Sequence, residues 1–91
     1  MQQITRKFDN RYAFRAGSVC CVYNVERSGE EVLLQGFETE GCTLLFSHCI
    51  SFLSQQEMQV RRFAQILVES QTLPRMMIEL AEEYFSSAFF D

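Results

Sequence analysis

The chain has 91 residues, of which 47% are hydrophobic and 22% are charged, and its formal net charge at pH 7 is −4. This length predicts one domain over residues 1–91, and the apolar content is high enough to exclude a disordered acidic peptide. No apolar run approaches the roughly 18 residues of a transmembrane helix, so we expect no membrane contact. Because no apolar signal segment follows Met1 and the four Cys are read as reduced, mostly buried thiols, the expected compartment is the cytoplasm.

The first half of the chain predicts an antiparallel meander of four strands. Alternating apolar and polar side chains are typical of strands, and they occur in four segments separated by turn signals. These segments are residues 2–8, 18–26, 31–37 and 42–48. Gly36 is expected to mark a β-bulge in the third strand. The short connections indicate that neighbouring strands run antiparallel.

The second half of the chain changes to helical periodicity. Ser54 and Glu57 form a capping-box pattern, which predicts that a helix begins there. Pro74 is expected in the first turn of a second helix, because its ring does not fit a helix interior. Both helices carry an apolar stripe. The sequence therefore predicts an α+β fold, in which a four-stranded antiparallel meander is followed by two amphipathic helices packed on one face of the sheet.

The sequence contains none of the common catalytic motifs, such as a glycine-rich phosphate loop or a nucleophile elbow. His48 is the only histidine, and its neighbour Cys49 is expected on the opposite face of the strand, which argues against a Cys–His nucleophile pair. The adjacent Cys20 and Cys21 lack the spacing of a zinc site. We therefore predict a protein that is not an enzyme and that uses no cofactor, metal or small-molecule substrate.

Charge is divided unevenly along the chain. Residues 1–27 carry five basic side chains against two acidic ones, a net charge of +3, whereas residues 28–91 carry three against ten, a net charge of −7. Seven of the eight basic residues are Arg, whose planar guanidinium suits phosphate and carboxylate groups. We therefore expect an electrostatic dipole that orients the approach to a charged partner.

The candidate binding residues are the basic side chains of residues 1–27, one aromatic residue among them, and two arginines of the first predicted helix. They are Arg6, Lys7, Arg11, Tyr12, Arg15, Arg27, Arg61 and Arg62. Basic side chains contact phosphates and aromatic rings stack on bases, so this composition suits nucleic acid as well as an acidic protein groove. In the alternative interpretation, the aromatic residues fill the core and the arginines pair with the chain's own carboxylates.

In its size, acidity, Cys usage, predicted architecture and clustered charges, the whole chain resembles a small phage-encoded anti-CRISPR protein of the type I-F inhibitor class. The resemblance implies a non-catalytic inhibitor that works in the host cell cytoplasm, docks on a CRISPR surveillance complex and blocks target DNA binding. The implied partner is a multisubunit ribonucleoprotein, or another protein complex, with contact to the guide RNA.

Two versions of this interface are open at the level of sequence. The acidic residues of the segment 28–91 could mimic DNA phosphates, or the basic end could contact guide RNA or acidic protein directly, and we favour contact by the basic end. The second functional hypothesis is a small nucleic-acid-binding or regulatory domain that uses its basic N-terminal sheet. The net charge of −4 counts against tight nonspecific DNA binding under that hypothesis.

Overall fold

A computed structural model describes residues 11–90 of the chain, and of residues 86–90 it describes the backbone only. Four antiparallel strands form one sheet in sequential order, which confirms the predicted meander. The strands are β1 (Arg11–Ala16), β2 (Val19–Ser28), β3 (Glu31–Glu40) and β4 (Thr43–Leu53). Each hairpin turn has two residues and begins with a glycine whose φ lies between 62° and 64°. This left-handed backbone region is open to glycine at little steric cost, so the glycines permit these tight turns.

The observed strands differ in extent from the predicted ones. The predicted first strand, residues 2–8, lies outside the described residues, and the first strand of the described sheet is Arg11–Ala16. The fourth strand continues to Leu53 rather than ending at His48. Strand β4 is therefore the longest strand of the sheet, and it forms one edge, whereas the short β1 forms the other.

Gly36 has a different role from the one predicted. The register shift between β3 and β4 lies at Glu38 and Thr39, and Gly36 pairs regularly with its neighbours, so the predicted bulge at Gly36 is wrong. A Cβ atom at Gly36 would lie 3.0 Å from Met77 Sδ and 3.1 Å from Pro74 Cβ. The glycine is therefore needed because the start of the second helix approaches the sheet closely at this point.

A single turn of 3₁₀ helix precedes each α-helix. The helical segments are Ser54–Gln56, α1 (Glu57–Glu69), Pro74–Met76 and α2 (Met77–Phe90). Pro74 lies in the first turn before α2, as predicted. The predicted cap by the Ser54 side chain is wrong, because helical turning begins at Ser54 itself. The side-chain oxygen of Gln56 instead accepts a hydrogen bond from the Leu53 N–H at 3.2 Å.

Both helices pack on the same face of the sheet, as the sequence predicted. One cluster of buried residues joins the two central strands to both helices. It consists of Tyr23, Val25, Val32, Leu34, Val60, Phe63, Ala64, Leu67, Met77, Ala81 and Phe85. Phe52 of the edge strand extends this cluster, with its ring centroid 4.6 Å from that of Phe85. The helices therefore anchor β4 as well as the central strands, and the opposite face of the sheet carries neither described helix.

Candidate binding surface

The side chains that point away from the helices form what we call the open face of the sheet. Because strand residues alternate between the two faces, the register assigns its members. They include Arg11, Ala13, Arg15, Val22, Asn24, Leu33, Gln35, Phe37, Ser47, Cys49 and Ser51. Val22 lies at the centre, between Ala13 of β1 and Phe37 of β3, and it is only 6% exposed. The open face therefore has an apolar centre and a more polar margin.

Two of the predicted binding residues lie on the open face. Arg11 and Arg15 are exposed on the edge strand β1, about 13 Å apart along the strand. Neither forms an ion pair with any residue in the described range. Tyr12 lies between them in sequence but points to the helix side, where it packs, partly buried, against the core. The tyrosine therefore does not share a surface with the two arginines.

Two other predicted binding residues converge on one carboxylate on the helix side of the sheet. Arg27 Nη1 lies 3.1 Å from Glu57 Oε1, and Arg61 donates to Glu57 Oε2 from Nη2 at 3.0 Å and from Nε at 3.1 Å. Glu57 thus joins the β2–β3 hairpin to the first turn of α1. For these two arginines the structure agrees with the alternative interpretation, in which basic residues pair with the chain's own carboxylates.

The remaining predicted residues are located apart from this group. Arg62 is exposed on α1 and has no ion pair with a described residue. Arg6 and Lys7 lie outside the described residues. The eight predicted residues therefore do not form one patch in the described part of the chain.

His48 and Cys49 point to opposite faces of β4, as the strand periodicity predicted. The exposed His48 ring stacks on Phe46, with 6.5 Å between the ring centroids. Cys49 lies on the open face, where desolvation and the nearby Glu26 carboxylate raise its pKa. Cys49 and Cys42 are both exposed, so the expectation of mostly buried thiols is wrong for these two. Over the described range, no three His, Cys, Asp or Glu side chains are arranged to hold a metal ion.

Glu38 is fully buried, although the sequence interpretation placed it in a turn. Its carboxylate accepts hydrogen bonds from the main-chain N–H of Arg75 at 2.9 Å, from Nε at 3.0 Å and from Nη2 at 2.6 Å. These hydrogen bonds from Arg75 lower the pKa of Glu38, although its burial acts in the opposite direction. Since its oxygens are already occupied, Glu38 fastens β3 to the turn before α2 and is unsuited to acid–base chemistry.

An open groove of about 440 Å³ runs between the edge strand β4 and the helix α2. Its lining is mainly apolar, and the described residues that line it are His48, Cys49, Ile50, Ser51, Phe52, Ile78, Ala81, Glu82 and Phe85. The sequence interpretation did not anticipate this groove, because it ended the fourth strand at His48.

No protein-family model matches the chain, and no curated protein and no solved structure is significantly similar to it. None of the described helices has the length and apolar character needed to span a membrane. The described part of the fold presents two surfaces that neither helix covers, the open face and the outer edge of β4.

Proposed function

We propose that this chain is a non-catalytic binding protein that contacts its partner through the open face, with Arg11 and Arg15 as the main charged contacts. One observation carries the proposal: these two exposed guanidinium groups lie on the same face of one strand, and neither has a carboxylate partner among the described residues, although the chain has a surplus of acidic side chains. A free guanidinium can bind a phosphate or carboxylate through two parallel hydrogen bonds.

The surroundings of these arginines support a role in recognition. Val22, Phe37 and Ala13 form an apolar centre beside them. Specific interfaces combine a desolvated apolar centre with a polar rim, and arginine and aromatic residues are enriched in the interface as a whole. The open face has this combination within the described residues. A partner that offers both an apolar contact and anionic groups would fit it.

The partner class that we propose is a multisubunit ribonucleoprotein, in line with the resemblance of the chain to anti-CRISPR proteins. Such a complex presents protein surface beside RNA phosphates, whereas free nucleic acid offers mainly phosphates to a protein whose net charge is −4. By docking on a CRISPR surveillance complex, the chain would occupy the surface that target DNA requires. The basic edge strand β1 would make the contact, and the acidic remainder would help to orient the approach.

A capture experiment with a type I-F surveillance complex tests the proposal. Wild-type chain and the variants R11E, R15E and R62E are compared, since each substitution makes the same change of charge. We expect R11E and R15E to weaken binding by about tenfold or more, because a lost charge-assisted hydrogen bond is replaced by repulsion. R62E should bind like the wild type, because Arg62 lies on α1, away from the open face.

Two results would contradict this proposal. If the wild-type chain captures no complex, or if all three variants bind equally well, the open face is not the contact surface. Fluorescence anisotropy with single-stranded RNA and DNA tests the alternative of a nucleic-acid-binding domain. Micromolar binding by the isolated chain that weakens steeply with salt would support that alternative instead.

A further inference from the structure

Among the described residues, no strand or helix pairs with the outer edge of β4. Its 11 residues, Thr43–Leu53, include no Asp, Glu, Lys, Arg or Pro. Sheet edges in natural proteins are usually short or carry charges, prolines or bulges that prevent pairing with another strand. The opposite edge β1 follows this rule, because it has six residues and carries Arg11 and Arg15. At β4, the bulge near Thr39 disturbs only the beginning of the strand.

The sequence of β4 is nearly palindromic about Cys49. Read outward from Cys49, the first pair, His48 and Ile50, differs, whereas Ser47 matches Ser51 and Phe46 matches Phe52. The leucines at 45 and 53 also match in sequence, although Leu45 lies at the register shift. Pairing with β3 is regular from Phe46 to Leu53, so no bulge interrupts this stretch. Both phenylalanines point to the helix side, and both serines point to the open face.

We propose that β4 pairs antiparallel with β4 of a second copy of this chain, about a two-fold axis at Cys49. This register places Phe46 opposite Phe52 of the second copy, and Ser47 opposite Ser51 of the second copy. Aromatic and hydroxyl pairs directly across two antiparallel strands are favourable contacts. No charged side chains oppose one another along the paired strands. The product is a continuous sheet that joins the four described strands of each copy.

The palindrome favours a second copy of this chain as the occupant of this edge. A strand from an unrelated partner could add to any open edge and would not require matching residues on both sides of Cys49. In a two-fold dimer the same strand forms both sides of the interface, so residues at equal distances from the axis face one another across the two copies. A palindromic strand therefore places like residues opposite one another across the dimer axis.

The same pairing also covers the groove beside β4. A two-fold axis perpendicular to the sheet keeps the helices of both copies on one side, so the second copy lies against the groove between β4 and α2. Ile50, Phe52, Ile78 and Phe85 line that groove and would lose contact with water. Leu53, which is 58% exposed at the end of the strand, would be covered as well.

Charge sets the expected salt dependence of this contact. Each copy has a net charge of −4, and Glu82 is the only acidic side chain among the described residues that line the groove. Long-range repulsion between two acidic chains is screened by salt. Association through the uncharged β4 should therefore strengthen as salt is raised, whereas contacts made by Arg11 and Arg15 should weaken.

Sedimentation equilibrium over a range of protein concentrations tests the proposal, with C42E as a matched control for C49E. Both cysteines are exposed, but Cys42 lies in the turn before β4. We expect the wild type, C42E and C49S to reach twice the monomer mass. C49E places two carboxylates opposite each other at the axis and should weaken the dimer by about tenfold or more. A wild type that stays monomeric, or a dimer that C49E leaves unchanged, would overturn the proposal.

A cross-linking experiment on the folded wild type avoids any effect of C49E on folding. Residues directly opposite in antiparallel strands have Cα atoms about 4.5–5.5 Å apart, which is within the range that a disulfide spans. Oxidation with diamide, which takes up two electrons and two protons per disulfide, should therefore trap a Cys49–Cys49 dimer. The cross-linked product should persist in C42S and disappear in C49S. Cross-linking through Cys42, or none at all, would contradict the proposed axis.

Discussion

Replacing Gly36 by Ala should destabilise the protein, although Ala normally suits a strand better than Gly does. Gly36 is buried, and an added Cβ would lie 3.0 Å from Met77 Sδ and 3.1 Å from Pro74 Cβ, both tighter than ordinary van der Waals contact. Met77 is fully buried, so its sulfur has little room to move, and the proline ring is rigid.

The expected size of the effect follows from two opposing terms. Overpacking a core costs about 1–3 kcal/mol, whereas replacing Gly within a strand recovers about 0.5–1 kcal/mol of backbone entropy. We therefore expect G36A to lower the free energy of unfolding by about 1 kcal/mol and the Tm by about 4–8 °C. Urea and thermal unfolding monitored by circular dichroism would measure both quantities.

A double-mutant cycle that combines G36A with M77V identifies the cause of this loss of stability. The substitution M77V removes the sulfur and terminal methyl that face Gly36, so G36A should cost less in the M77V background than in the wild type. The difference between the two costs is the coupling between the positions. If G36A is as stable as the wild type, or costs the same in both backgrounds, close helix–sheet approach is not the reason for this glycine.

Two polar contacts also hold the helical half of the chain to the sheet. Because hydrogen bonds from Arg75 lower the pKa of Glu38, the stability contributed by this carboxylate is present above its ordinary pKa of 4.5 and is lost as the pH falls through the lowered value. E38Q should therefore have a lower free energy of unfolding than the wild type at pH 7, and this difference should narrow below about pH 4.5 in urea titrations. A difference that does not change with pH would contradict this account. The Tyr23 hydroxyl donates to the main-chain carbonyl of Thr72 at 2.5 Å, so Y23F should lose about 1 kcal/mol of stability in the same assay. An unchanged urea midpoint in Y23F would show that this hydrogen bond adds nothing.

The order of elements could be predicted from the sequence because its signals are local. Alternation over residues 18–26 and the position of Pro74 each depend on neighbouring residues only. The strand Arg11–Ala16 was missed, although its side chains also alternate, because residues 2–8 show the same period and the pattern alone does not choose between them. Local patterns thus established the kinds of element better than their limits.

The candidate surfaces were less accessible from sequence because they depend on distant contacts. In the sequence, Glu38 has the character of a turn residue. It is buried in the fold because Arg75, 37 positions later, donates hydrogen bonds to its carboxylate. The pairing of Arg27 with Glu57 likewise requires the β2–β3 hairpin to reach the start of α1. Composition alone therefore could not distinguish the arginines that form ion pairs within the chain from Arg11 and Arg15, which do not pair with a described residue.

The unequal edges of the sheet also limit how far sheet addition can proceed. A protein with two permissive edges can add copies at both ends and grow into a fibril. In the described part of this chain, the arginine-bearing β1 opposes addition and only the uncharged β4 permits it. Once that edge is occupied by a strand of the same kind, no equivalent edge is left for a third chain, so the order of strands favours a closed assembly over a polymer.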